Sequence, residues 1–208
     1  PAGKNTIVIV LADHGDGMGS HRMVTKQVSF YEEMTNVPFI IAGPGIHPRQ
    51  KPVEDLLTQP TIDLLPTLCE LAGIPVPSSK PGISLAPFLK GEKQKRQHPY
   101  AASEWHSEYE VTVSPGRMIR SPRYKYTHYL EGNGEELYDM LKDKGERRNL
   151  AHDPKYSKIL AEHRALLDDY IRRTQDDYRS LKVEADKRWR SHAPGYPNHE
   201  GPCARDII

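Results

Sequence analysis

Cysteine is nearly absent. Cys69 and Cys203 are the only two in 208 residues, too few for a disulfide framework. Cys69 lies in an apolar helical stretch and is expected to be buried there. Cys203 lies in a Gly/Pro-rich tail, able to pair elsewhere or to stay reduced. No run of eighteen apolar residues occurs, so no segment reads as a membrane-spanning helix. The opening Pro1-Ala2-Gly3-Lys4 lacks the charged-then-apolar pattern of a leader. Charge of one sign is missing too: 29 Lys and Arg face 28 Asp and Glu, a formal net charge of +1. That balance argues against nucleic acid or an anionic membrane as partner. Apolar residues make up 37% of the chain, a low share for a chain that buries its own core. Proline, with 18 residues, is abundant and points to long ordered loops rather than a helical bundle.

Against this background the run Thr6-Ile7-Val8-Ile9-Val10-Leu11-Ala12 stands out, because it stops at Asp13-His14-Gly15 and is followed by Lys26. A β-branched run of this kind reads as a buried parallel strand that delivers polar groups to its C-terminal edge, where open α/β sheets bind ligands. A carboxylate, an imidazole and a downstream ammonium suit a metal ion beside a multiply charged oxyanion. A buried parallel strand needs neighbours on both sides, and few other candidates follow. The sequence therefore reads either as a compact domain whose first strand is central or, the reading favoured, as the C-terminal part of a longer protein.

The remaining pattern divides near residues 92–98. Residues 1–95 are expected to complete an α/β sheet domain and residues 96–208 to form an α+β subdomain with an irregular tail from about Arg188. In the first part, Gly15, Gly17 and Gly19 allow close approach of backbone to a ligand, Phe30 to Met34 reads as a short helix, and Val37 to Ala42 as a second buried strand. Pro60 to Ala72 reads as a helix with Pro60 at its first turn, Gly73 past its end and a kink at Pro66. Its expected apolar face is Leu64, Leu65, Leu68, Leu71 and Ala72, and Leu85 to Leu89 follows as one helical turn. In the second part, Tyr100 to Glu104, Gly116 to Arg120, Tyr124 to Tyr129 and Glu136 to Tyr138 read as short antiparallel strands, with Ser121-Pro122-Arg123 as a turn. Asp153-Pro154 then opens a helix whose Tyr156, Leu160, His163, Leu167, Tyr170, Ile171, Thr174 and Tyr178 recur at helical spacing.

Taken in order, strand, Asp13-His14-Gly15, Gly19-x-His21, Lys26, Tyr31-Glu32-Glu33, Val37-Pro38 and Gly43-Pro44-Gly45 resemble the C-terminal half of the sulfatases, in the alkaline-phosphatase-like superfamily. Asp63 to Pro75, Gly82-Ile83-Ser84-Leu85, Arg117 to Tyr126, Glu136-Leu137-Tyr138-Asp139 and Arg148-Asn149-Leu150-Ala151 extend the resemblance to about residue 178. It implies an alkaline-phosphatase-like α/β sheet domain followed by a small α+β subdomain, and hydrolysis of sulfate esters or N-sulfate on a sulfated glycan. It gives Asp13 and His14 the role of metal ligands and Lys26 that of a sulfate-oxygen contact; His21, counted with Lys26 among the catalytic candidates, reads equally as a hydrogen-bond support to a ligand or as a substrate contact. The implied cofactor is a divalent metal, Ca²⁺ in most of the family, with Mg²⁺ or Mn²⁺ as alternatives; calcium prefers oxygen ligands, whereas the His14 imidazole better suits softer ions such as manganese or zinc. The family's nucleophile is a formylglycine made in a Cys/Ser-x-Pro/Ala-x-Arg motif. That motif and the family's paired aspartates are absent here, so this stretch alone is expected to be inactive and to need its N-terminal half as partner.

Glu104, Trp105 and His106 end a strand with groups suited to a sugar-binding rim. Glu110 to Arg120 resembles heparan N-sulfatases (sulfoglucosamine sulfohydrolases), which narrows the expected substrate to a sulfated glycan or amino sugar, with Trp189, His192 and Tyr196 as further candidates. Ser20 replaces a glutamate common in the family, and Val24-Thr25 lack its aromatic. Phosphonate monoester hydrolases and phosphodiesterases of the same superfamily share the Asp-His pair and are the enzymatic alternative. A non-catalytic binding module is the alternative from another class. The resemblance implies an extracytoplasmic location.

Overall fold

The computed structural model describes residues 2–23, 29–53, 56–92, 98–106, 115–130 and 134–181. Lys26, the stretch 107–114, the basic runs at 93–96 and 187–190, Cys203 and the whole tail lie outside the described residues. The chain forms two compact units. The first comprises Pro1–Gly15 and Asn36–Ala101, the second Asp16–Thr35 and Ala102–Ile208. Residues 16–35 thus group with the C-terminal elements.

In the first unit, β1 (Val8–Leu11) pairs with β2 (Phe39–Ala42). The pairing is antiparallel, Val8 opposite Ala42 and Leu11 opposite Phe39. This corrects the expected buried parallel strand: Val8, Val10 and Ile40 are exposed. An apolar β-branched run has the same period in either orientation, so the sequence could not set the direction.

The helix α2 spans Pro60–Ala72, with Pro60 in its first turn and Gly73 closing it at φ 69°, as expected from both residues. Pro66 does not break it. It cannot donate to the Ile62 carbonyl one turn back, and Gly82, at φ 106°, comes against that carbonyl; a Cβ on Gly82 would lie 2.0 Å from Ile62 O. The buried face of α2 is not the leucine stripe. It is Asp63, Pro66, Thr67 and Cys69, while Leu65 and Leu68 are exposed. Asp63 accounts for this inversion. Its carboxylate accepts from the Gln59 and Ile83 amides at 2.8 and 2.9 Å and lies 2.9 Å from His98 Nε2. The Thr67 hydroxyl accepts from the Leu85 amide, which seats the short helix α3 (Ala86–Leu89).

The second unit is a four-stranded sheet in the order β3 (Ala101–Trp105), β4 (Gly116–Arg120), β5 (Tyr124–Tyr129), β6 (Gly134–Asp139). The pairings of β4 with β5 and of β5 with β6 are antiparallel. Side chains alternate between two faces, and both are covered. One face, with Ile119, Tyr124, Tyr126 and Leu137, meets helix α4 (Ser157–Thr174) through its buried Leu160, His163 and Leu167. Asp153 caps the turn before α4 by accepting from the Lys155 amide, as Asp153-Pro154 predicts. The other face, with Met118, Lys125, Tyr129, Glu136 and Tyr138, is covered by Met23, Phe30, Tyr31 and Met34, the last in the one-turn helix α1 (Glu32–Thr35). The sequence pattern showed the first cover and missed the second.

Candidate active site

Asp13 and His14 follow β1 directly. The Asp13 side chain is 88% exposed, so it points to solvent rather than into an apolar core. Its Oδ1 accepts from the His14 amide at 3.0 Å. His14 Nδ1 lies 2.8 Å from the Gly15 carbonyl. A carbonyl only accepts, so Nδ1 is the donor of this bond, which leaves Nε2 as the ring nitrogen available to a ligand. Nε2 lies 3.7 Å from Asp13 Oδ2. Two donors that share a cation at about 2.1–2.5 Å lie roughly 3–4 Å apart, so the pair fits two ligands of one divalent ion. It makes only part of a site. Among the described residues, no group of three or more His, Cys, Asp or Glu is arranged to hold a metal.

Residues 17–23 belong to the second unit and follow a strained path. Met18, His21 and Arg22 all have positive φ, at 46°, 49° and 59°, conformations that cost about 1–2 kcal/mol for each non-glycine residue. Gly17 lies so close to Met23 that a Cβ there would stand 2.4 Å from Met23 Cβ. Its small size thus serves the chain's own packing rather than a ligand's approach. The His21 ring stacks flat on Tyr31, centroids 3.7 Å apart and planes 2° apart. Its side chain is 6% exposed, with Nε2 3.9 Å from Glu33 Oε2. Burial lowers its pKa below the ordinary imidazole value, although Glu33 opposes the shift.

At the end of β3, Glu104 and His106 are exposed. Glu104 Oε1 accepts from the Tyr170 hydroxyl at 2.7 Å. Trp105 packs against Phe30, Met118 and Tyr129, and its buried indole N–H has no hydrogen-bond partner among the described residues. Arg117 is structural. It holds Asp176 through two bonds of 2.6 and 2.9 Å, donates to the Trp105 carbonyl and lies over the Tyr178 ring.

The order of the elements thus agrees with the resemblance in the sequence. The profile of the family described as N-sulphoglucosamine sulphohydrolase, C-terminal, matches residues 19–173. The chain belongs to this family. It is a C-terminal portion of the sulfatase α/β fold. It is 76% identical over its full 208 residues to the delta 4,5-hexuronate-2-O-sulfatase of Bacteroides thetaiotaomicron, of which it spans 43%. It matches the solved structure of a 2-O GAG sulfatase with a TM-score of 0.89 and 76% identity, covering all of this chain and 45% of that one. It also resembles a phosphonate monoester hydrolase from Silicibacter pomeroyi, with a TM-score of 0.71 and 28% identity over 86% of this chain and 37% of that one. The chain thus spans less than half the length of these relatives.

One feature of this sulfatase portion has no counterpart in the sequence motifs. Lys125 is 1% exposed on β5; its ammonium donates to the Phe30 carbonyl at 2.8 Å and forms ion pairs with Glu32 Oε1 at 2.7 Å and Glu146 Oε1 at 2.9 Å. Glu146 Oε2 in turn accepts from the Glu32 amide at 2.6 Å. Strand alternation with Tyr124 and Tyr126 would have turned Lys125 away from the core, so the sequence carried no signal for its burial.

Proposed function

We propose that this chain is the part of a sulfatase that supplies two metal ligands and a sulfate contact, and that the whole enzyme hydrolyses a sulfate ester on a uronate of a sulfated glycan. The observation that carries the reading is the presentation of Asp13 Oδ2 and His14 Nε2 on one side, 3.7 Å apart, at the end of β1. The relative described as a hexuronate 2-O-sulfatase supports the substrate class.

Cleaving a sulfate monoester puts negative charge on the leaving oxygen and leaves the sulfuryl oxygens charged. A divalent cation at Asp13 and His14 supplies electrostatic stabilisation of that charge when bound. Lys26 donates to a sulfuryl oxygen. We assign His21 a positioning role, because its stacked and buried ring suits holding Tyr31 better than meeting substrate. Glu104 and His106 are the exposed groups at the end of β3 that we assign to the sugar, with Trp105 packed behind them. The nucleophile, by family a formylglycine, and the remaining carboxylates belong to the N-terminal half of the enzyme, the partner this portion needs. An extracytoplasmic location goes with this reading, and fractionation of the producing cells tests it.

The decisive experiment is turnover by the full-length protein on a 2-O-sulfated unsaturated hexuronide, beside a phosphonate monoester. Sulfate release that stops on chelation and returns with added divalent metal is expected. Asp13→Ala should abolish the metal response. Lys26→Ala should lower kcat/KM at least about tenfold, roughly 1.4 kcal/mol. Turnover of the phosphonate alone would favour the hydrolase seen in the Silicibacter structure. No turnover of either would leave a non-catalytic binding module.

A further inference from the structure

The segment Asp16–Thr35 begins directly after Asp13-His14-Gly15, yet it belongs to the second unit. We propose that Lys125 is a positioning residue: its buried ammonium grips the Phe30 carbonyl, Glu32 and Glu146 and so fixes residues 29–35, within the segment that follows Gly15, on the β4–β5–β6 face. The proposal rests on the sulfatase reading above, because it assigns this fixed geometry to the reaction.

Three observations on the second unit carry it. The first is the number of partners around one buried ammonium: it donates to the Phe30 carbonyl at 2.8 Å and forms ion pairs with Glu32 and Glu146 at 2.7 and 2.9 Å. Two of these partners, Phe30 and Glu32, are on the segment. Glu146, the third, bonds the segment again through the Glu32 amide. Arg120 adds a second cation 3.7 Å from Glu32 Oε1, which balances the two carboxylates. The second is strain. Glu146 itself sits at φ 49°, a conformation a glutamate keeps only where its surroundings over-determine it. Met18, His21 and Arg22 on the segment are likewise left-handed. The third is closure of the segment on itself. The Ser29 hydroxyl donates to Met23 Sδ at 3.3 Å, and both residues are buried. Gly116 lets the segment lie flat on the sheet, since a Cβ there would stand 2.6 Å from the Phe30 ring.

Stability does not by itself explain such a cluster. A buried ion pair stabilises little beyond a well-packed apolar replacement, whereas it fixes geometry through directional bonds. The cluster therefore acts on where the segment sits more than on whether the unit folds.

The test uses the full-length protein and two variants, Lys125→Met and Lys125→Met/Glu146→Gln. The single variant leaves buried carboxylates unbalanced and is expected to melt lower. The double variant removes one charge of each sign and is expected to regain most of the melting temperature. Amide hydrogen exchange at residues 29–35 should nonetheless stay faster than in the wild type, with α4 unchanged. Its kcat/KM should stay about tenfold to a hundredfold down, the scale of a misplaced catalytic group. If the double variant recovers melting temperature, exchange protection and turnover together, Lys125 is only structural and the proposal is overturned. If the wild type shows no sulfatase activity, the sulfatase reading fails, and the exchange measurement still decides whether Lys125 fixes the segment.

Discussion

Glu136 shares the buried sheet face with Lys125, and it gives the second unit a definite dependence on pH. It is 5% exposed. Burial, reinforced by the Glu146 carboxylate, pushes its carboxyl from the ordinary 4.5 up to about 8. Between these values the folded chain keeps a proton that the unfolded chain has released, so the folded state binds more protons and stability falls as pH rises from about 4.5 to about 8. Glu136→Gln should flatten that fall and melt above the wild type at about pH 8.5 in thermal scans; a variant that keeps the wild-type slope would remove Glu136 as its source. His163 works with the opposite sign. Burial lowers its pKa, so its contribution is lost as pH falls below the usual imidazole range, and comparing the two proteins isolates the carboxyl. Neither Glu136 nor Lys125 was legible in the sequence as a buried charge. Charged residues in short alternating strands are mostly solvated. What puts these two inside is the register, Thr127 opposite Glu136 and Lys125 opposite Tyr138, together with a cover drawn from residues far away in the chain.

Elements with local punctuation were legible almost to the residue. Pro60 and Gly73 bound α2, and Ser121-Pro122-Arg123 separates β4 from β5, because the stops lie in the backbone chemistry of the residues themselves. What stayed hidden was which face or direction an element takes, since that is fixed by partners. The antiparallel pairing of β1 and the inward Asp63 of α2 are both of this kind. The Asp-His pair at the candidate site was legible because both residues follow one strand directly, whereas the clamp on the segment beyond it joins residues 30, 32, 125 and 146. Asp63 invites a direct measurement at this scale. Asp63→Ala would leave the Gln59 and Ile83 amides and His98 without their acceptor. That should cost about 3–5 kcal/mol, the penalty for stranding buried partners of a charge, and lower the melting temperature by roughly 10 °C. Asp63→Asn, which keeps one acceptor oxygen, should lose less. An alanine variant that melts with the wild type would show that the carboxylate does not hold α2 to the loop at Ile83.

At the scale of the whole molecule, apolar exposure is uneven. Val8, Val10, Leu11, Ile40, Val53, Leu65, Leu68, Ile74 and Val76, all of the first unit, are the large apolar side chains left in solvent there, against Met18 and Leu141 among the described residues of the second. The second unit has cover on both faces of its sheet. The first has a two-stranded sheet, a form marginal on its own in water, and a helix that turns leucines outward. The chain spans 43% of its hexuronate-sulfatase relative, and these side chains are open to any further segment that packs on the first unit. The 208-residue chain produced alone should therefore bind a hydrophobic dye such as ANS and self-associate in sedimentation, as contiguous apolar patches do. Val10→Thr/Ile40→Thr should weaken both effects, because the two residues pair across β1 and β2. The same substitutions in the full-length protein should instead lower its melting temperature, as they would remove apolar contact from an interior. A chain that is monomeric and dye-silent by itself, with no penalty for the double substitution in the longer protein, would refute that surface as an internal interface.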